Sequence, residues 1–332
     1  MQPSGVTAVG IPSPREPHTD DAEPPTGGPQ SAYPDPARLT TTVPREYVHR
    51  AAVSEVLLTG WETDGDAGFL VTAQWPRGHA LFRPRFGQQD PLLIAETIRQ
   101  GGMLLNHVTF GVPLGYQFLL HDLTYASIPG ALAVEPVPSE VTVRFTYQDV
   151  VRRGKHLSSM RYHAELWLGG RRVATGNSSF KSTSPAVYQR IRGDRPVTAS
   201  EPPPPGLDPA VVGRVDPADV VLSARDAGAP HRWQVRADTE HPVFFDHPTD
   251  HIPGMVLLEA ARQATQAALW PAPVQAAELT IDFARYAELN APCWVEAEPA
   301  GTAADGSVPV LVTGHQEGQT VFTARVTAQP LT

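Results

Sequence analysis

A chain of 332 residues with a net charge of −9, and with no basic cluster interleaved with aromatics, excludes nucleic acid as an expected partner. The length fits two domains, each large enough for its own core. A single cysteine, Cys293, excludes an internal disulfide and fits a reducing cytoplasm. No apolar run reaches the roughly 18 residues needed to cross a membrane, so a cytoplasmic protein is expected.

Residues 1–40 are rich in Pro, Gly, Ser, Thr and acidic residues without periodicity, and are expected to be a disordered tail. From Val43 the segments VHRAAVSEVLLTGW and GFLVTAQW alternate apolar and polar residues in runs of strand length. His49 and Arg50 open the first of these and read as a solvated strand end, although Arg214 recurs at the equivalent place later. DPLLIAETIRQGGMLLNH (Asp90 to His107) reads as an apolar helix, with Asp90 suited to the N-cap and Pro91 to the first helical position. His107 closes it, either lining a cavity or satisfied as a structural histidine. YQFLLHDLTYA, EVTVRFTYQDVV, SSMRYHAELWL and RRVATGNSSF then read as four strands, so the class is α+β. The expected bounds are an N-terminal domain at 41–184, a Pro-rich linker at 185–209 and a C-terminal domain at 210–332. Cys293, in the strand-like stretch PCWVEAE, reads as a small core residue.

The second half is centred on IPGMVLLEAARQATQAALW (Ile252 to Trp270), a helix apolar almost all round. Its polar residues Glu259, Arg262, Gln263 and Gln266 fall on one face of a 3.6-residue helix. A carboxylate and a guanidinium on an enclosed helix are either paired with each other as a buried ion pair or turned to a cavity. The pattern occurs twice: Glu96, Arg99 and Gln100 stand at the same mutual spacing on the first apolar helix. Phe82 precedes Glu96, and Phe245 precedes Glu259, by the same 14 positions. Two copies of about 140 residues are too few and too long for a solenoid, and imply two fused domains related by a pseudo-twofold axis.

FFDHPTDHIPGMVLLEAARQA resembles the active-site stretch of the β-hydroxyacyl carrier-protein dehydratases, which are hotdog proteins. By that match His247 stands for the loop histidine, Pro253 and Gly254 for the Pro-Gly step, and Glu259 for the helix acid. The loop is two residues shorter here, and in the first repeat the positions of His247 and Gly254 are held by Pro84 and Pro91. Taken together, VPREYVHRAAVSEVLLTGW, DPLLIAETIRQ with HVTFGVPLGYQF, and FFDHPTDHIPGMVLLEAARQ resemble the A-factor biosynthesis hotdog family (AfsA-like) from about Val43 to the C-terminus. That resemblance implies a tandem hotdog fold, two curved antiparallel sheets each wrapped around a long central helix. It also implies transfer of a β-ketoacyl group from acyl carrier protein to dihydroxyacetone phosphate, toward a γ-butyrolactone, butenolide or furan signalling molecule. No cofactor and no metal are expected. The assembly is expected to be a monomeric pseudo-dimer or a homodimer.

Thioester-to-ester transfer needs a base, oxyanion donors, a cation for the phosphate and an apolar tunnel. Glu96 and Glu259 are the candidate bases, and Arg99 and Arg262, with Gln100 and Gln263 beside them, the candidate anion ligands. The uncapped helix start at Gly254 and Met255 offers backbone N–H groups for the oxyanion, with His247 assisting. In hotdog dehydratases the loop of one subunit completes the site of the other, so His247 and Gly254 are expected to face Glu96. A hotdog dehydratase or thioesterase, or a non-catalytic acyl-ligand sensor, are the alternatives on the same scaffold.

Overall fold

The computed structural model describes residues 40–331 apart from 66–67, 155, 197–201 and 226–227; the expected disordered tail lies outside them, as does the middle of the linker. The first half contains β1 (Leu58–Asp64), β2 (Gly68–Trp75), α1 (Leu92–Val108), β3 (Gln117–Ser127), β4 (Ser139–Arg153), β5 (His156–Leu168) and β6 (Arg171–Thr183). A short helix, α2 (Pro185–Arg192), follows. The second half contains β7 (Leu222–Arg225), β8 (Arg232–Val235), α3 (Gly254–Ala268), β9 (Val274–Phe283), β10 (Cys293–Pro299), β11 (Val308–Gln316) and β12 (Gln319–Pro330).

All strands join one antiparallel sheet of 12, in the order β1-β2-β4-β5-β6-β3-β9-β12-β11-β10-β8-β7. Read outward from the centre, the two halves have the same topology. Helix α1 touches β1, β2, β3, β5 and β6, and α3 touches β7, β9, β10, β11 and β12. A helix reaches that many strands of its own half only if the sheet curls round it, which is the double hotdog expected.

The helices are enclosed because their apolar residues face inward on nearly every side. Leu92, Leu93, Ile94, Ile98, Leu104 and Leu105 of α1 are fully buried, each contributing about 2 kcal/mol relative to exposure. Gly101 and Gly102 let α1 press onto the sheet: a Cβ there would lie 2.3 Å from the Phe145 ring and 2.3 Å from the Tyr162 hydroxyl, respectively. Asp90 Oδ1 accepts the Leu92 N–H at 2.9 Å, capping the helix start. Cys293 is buried at the start of β10, and burial pushes its thiol up to about 12, as suits a core residue.

At the seam β3 pairs with β9, with Thr124 Oγ1 donating to Thr280 Oγ1 at 3.2 Å and Tyr125 Oη to the Ala276 carbonyl at 3.0 Å.

Two expectations are corrected. The stretch ahead of β1 is not a strand but a chain of tight turns, with 3-10 turns at Arg45–Val48 and Val53–Glu55, and its counterpart ahead of β7 holds one at Pro217–Asp219. His49 therefore does not open a strand; it sits at a left-handed φ of 53° between two such turns. The linker is not featureless either, since α2 occupies its first eight residues. Its Arg192 side chain is only 4% exposed, binds Asp250 Oδ2 at 3.0 Å and Glu288 Oε1 at 2.8 Å, and lies 4.1 Å over the Tyr286 ring. Among the described residues no helix is long and apolar enough to cross a membrane.

Candidate active site

The polar faces of α1 and α3 each become one buried centre. In the first, Glu96 Oε1 accepts from Arg50 Nη2 at 2.6 Å, Arg99 Nη2 at 2.7 Å and Gln100 Nε2 at 2.6 Å, and Oε2 accepts from Arg99 Nε at 2.8 Å. In the second, Glu259 is held by Arg214 Nη2 at 2.6 Å, Arg262 Nη2 at 2.7 Å and Gln263 Nε2 at 2.5 Å. The glutamines tie each centre to the turns before β1 and β7. Gln100 Oε1 accepts the Leu57 N–H at 2.9 Å, and Gln263 Oε1 the Val221 N–H at 3.0 Å. Those turns therefore serve the site, because only a chain folded back there brings Arg50 and Arg214 onto the helix glutamates. Gln266, the last of the polar line, pins the turn after α3 instead, through Ala272 O and Val274 N.

Burial alone raises a carboxylate's pKa, but two guanidiniums with their hydrogen bonds outweigh it and hold both Glu96 and Glu259 down at about 2. Each is a permanent anion whose oxygens are occupied by donors. Held between them, each carboxylate fixes the orientation of its two arginines.

Each centre is completed by the other repeat. Arg50 Nη1 donates to the Val243 carbonyl at 3.1 Å, and Asp246 Oδ2 accepts the Ala51 N–H at 2.8 Å. Asp246 Oδ1 in turn meets His247 Nδ1 at 2.5 Å, so His247, with its side chain half exposed, stands on the Glu96 side. Gly254 begins α3 with no side-chain cap and faces Phe283 and, from the first repeat, Leu120; Met255 is buried beside it. Reciprocally, Arg214 Nη1 reaches the Leu81 carbonyl at 2.8 Å and Asp90 Oδ2 at 2.7 Å.

The centres differ most at the residue before the first arginine. Before Arg50 stands His49, whose Nε2 lies 2.9 Å from His107 Nε2, while His107 Nδ1 lies 2.7 Å from the Val112 carbonyl. His107 is thus both satisfied and part of the site. Before Arg214 stands Gly213, also at a positive φ, and the place a side chain would take is filled by Arg85, whose Nη1 donates to Gly213 O at 2.9 Å. Arg85 and Arg262 border a cleft of about 30 Å³ with Arg83 and Gln275. Among the described residues no group of three or more His, Cys, Asp or Glu side chains is gathered to hold a metal ion.

Sequence reasoning placed Arg50 and His49 at a solvated strand end and passed over Asp246. The available signal was the recurrence of an arginine 46 positions before Glu96 and 45 before Glu259.

Two fused hotdog domains, each with an Arg-Glu-Arg centre at its helix and each closed by the other's loop, define the class of this protein. The chain belongs to the A-factor biosynthesis hotdog domain family, whose model matches residues 31–184 and again 197–332. It is 50% identical over 289 residues to the 2-oxo-3-(phosphooxy)propyl 3-oxoalkanoate synthase of Streptomyces virginiae, covering 87% of this chain and 98% of that one. With the synthase of the same name from Streptomyces coelicolor it shares 41% over 282 residues, 84% of this chain and 89% of the relative. Among solved structures, a Lactobacillus plantarum protein described as an oleoyl thioesterase aligns with a TM-score of 0.50 at 10% identity, covering 81% of this chain and 98% of that one. That likeness concerns the fold alone.

Proposed function

We propose that the protein is an acyltransferase that joins a 3-oxoacyl (β-ketoacyl) group to the hydroxyl of dihydroxyacetone phosphate, with residues 41–184 and 210–332 as its two hotdog domains. The relatives are named for an ester whose acid part is a 3-oxoalkanoate and whose alcohol part is 2-oxo-3-(phosphooxy)propyl. The acyl donor is the thioester of acyl carrier protein, and the reaction belongs to the cytoplasm. The observation that carries this reading is the Glu96 centre, where an arginine with a free donor lies beside an apolar approach. Arg99 spends Nε and Nη2 on Glu96, and its Nη1 touches only the weak thioether acceptor of Met103 at 3.1 Å. That donor, on a side chain that is 14% exposed, suits a phosphate. Phe118 and Leu120, half-buried on β3, and Gly254 and Phe283 across the repeat boundary supply the apolar wall for an acyl chain. The N–H groups at Gly254 and Met255 face the thioester oxyanion, with His247 near the mouth.

The Glu259 centre is more closed, its Arg214 and Arg262 side chains 4% and 8% exposed. It acts as a second anion site or as the structural counterpart of the first. The test is mass spectrometry of products from a β-ketoacyl carrier-protein thioester with dihydroxyacetone phosphate: the phosphorylated ester is expected. Equal reaction with water or an unphosphorylated alcohol would replace this reading by a hotdog thioesterase.

A further inference from the structure

Acyl transfer to an alcohol needs a base open to the acceptor hydroxyl, and Glu96 is poorly suited to be it, because two guanidiniums and an amide already share its carboxylate. Both its oxygens accept from guanidinium or amide donors at 2.6 to 2.8 Å. Glu259 is held likewise, by donors at 2.5 to 2.8 Å. A base must first meet the geometric requirement and only then the pKa requirement.

The imidazole pair beside Glu96 meets the first. The Val112 carbonyl can only accept, so the 2.7 Å contact places a proton on His107 Nδ1. Neutral His107 then offers a lone pair at Nε2, and the 2.9 Å contact makes His49 Nε2 the donor to it. The chain of bonds fixes the tautomer of His49 and leaves its Nδ1 as a bare acceptor, with no hydrogen bond to any described residue. The ring is held by Phe118 at 5.1 Å between centroids and by His107 at 5.2 Å. A backbone carbonyl, an orienting histidine and an acceptor histidine form a relay of the kind that orients catalytic imidazoles.

On the acyltransferase reading above, we propose that His49 is the general base of the Glu96 centre, taking the proton of the acceptor hydroxyl on Nδ1. The hydroxyl oxygen attacks the thioester carbonyl carbon, forming the C–O bond and an oxyanion. Collapse breaks the C–S bond, and the Nδ1 proton passes to the departing thiolate, so ester and thiol leave and His49 is neutral again. Glu96 is a positioning residue that aims Arg50 and Arg99.

The charges around His49 keep it unprotonated in the free protein, at the cost of a low basicity. Burial, and then His107, Arg99 and His247, hold its imidazole down at about 3 in the free protein, so it is unprotonated and ready to accept. A phosphate bound on Arg99 adds negative charge where those cations act, and raises the basicity of His49 only when the acceptor is in place. The second centre cannot do this: glycine stands at position 213, and Arg85 fills the space. One base therefore serves the molecule.

The experiment uses the full chain, a β-ketoacyl carrier-protein thioester and dihydroxyacetone phosphate. Glycine tolerates the left-handed φ of 53° at position 49, so His49→Gly keeps the fold, checked by thermal melt. Its turnover is expected to fall about 10²- to 10⁴-fold and to recover in part on adding free imidazole. His49→Asn, which also suits that backbone and keeps an amide donor toward His107, is expected to stay inactive with or without imidazole. Turnover of His49→Asn within a few-fold of wild type, or an imidazole-insensitive His49→Gly, overturns the assignment while ester formation by the wild type upholds the acyltransferase reading. If the wild type forms no ester, that reading falls and this one with it.

Discussion

Arg85 lays its Nη1 2.9 Å from the carbonyl oxygen of Gly213, and a Cβ on that glycine would lie only 2.2 Å from the same nitrogen. The residue at 213 is therefore bound by two constraints, a φ of +69° and a guanidinium from the other repeat. Gly213→Ala is expected to destabilise the protein by about 1–2 kcal/mol through the backbone alone, and further by displacing Arg85. In an Arg85→Ala background only the backbone part should remain. Urea denaturation of the four proteins of that cycle measures the difference, and equal costs in both backgrounds would refute the contact.

Replacing either helix glutamate with glutamine leaves two buried guanidiniums without their anion. Glu96→Gln and Glu259→Gln should each cost about 3–5 kcal/mol in denaturant melts. The loss at Glu259 should be at least as large, because Arg214 there is more enclosed and also paired to Asp90.

The same groups set two separate windows of pH dependence. Glu96 and Glu259 fall from an ordinary 4.5 to about 2 on folding; the stability they contribute is full above 4.5 and is lost as pH falls through 2. His49 falls from 6.5 to about 3, so the unfolded chain takes up its proton first, and stability declines as pH drops below 6.5. His49→Gly should lessen the slope of the stability curve between pH 6.5 and 4.5, to which His107 and His121, also lowered by burial, still contribute, and leave the steeper acid limb. An unchanged slope in that upper window would mean that His49 titrates normally.

Arg99→Met keeps the length of the side chain and removes its charge. The KM for the phosphorylated acceptor is expected to rise about ten- to a hundredfold, the worth of a charge-assisted hydrogen bond, with the KM for the acyl thioester little changed. The same substitution at Arg262 identifies which centre holds the phosphate, since the larger rise marks it. Steady-state kinetics with each substrate varied in turn provides the comparison.

Helix α2 holds the loop that carries His247. Tyr188 Oη donates to Asp250 Oδ1 at 2.7 Å, and Arg192 binds Asp250 and Glu288 together. Arg192→Met should cost on the order of 2–3 kcal/mol, less than a fully buried pair because both carboxylates are partly solvated. Hydrogen exchange at residues 247–253 should accelerate in this variant. Unchanged exchange there would show that the loop is held without the helix.

The duplicated helices were readable because an apolar helix with one polar line has few explanations, and two such lines at one spacing have fewer. The strands after the first helix were readable from alternation, with turn residues between them. The turns before β1 and β7 were not, since Val48, Val56 and Leu57 are buried by packing against α1 and its surroundings, and their spacing mimics a strand. Bonds such as Arg50 to Val243 or Arg192 to Glu288 join positions 193 and 96 apart. No local pattern encodes them. Helix α2 was hidden for the same reason: what it buries is a charge whose partners lie in another part of the chain.

Thr124 and Thr280, neighbours across the seam, are 156 positions apart in the chain. Each half can pair its own six strands from nearer segments, but β3 and β9 find each other only after a long loop has closed, at a large entropic cost. Until then β3 and β9 each present an unsatisfied inner edge, matched in register over residues 122–126 and 278–282. At high concentration that edge of one molecule can pair with the complementary edge of another, so refolding should give more exchanged dimer as protein concentration rises, and slow dilution should favour the closed monomer.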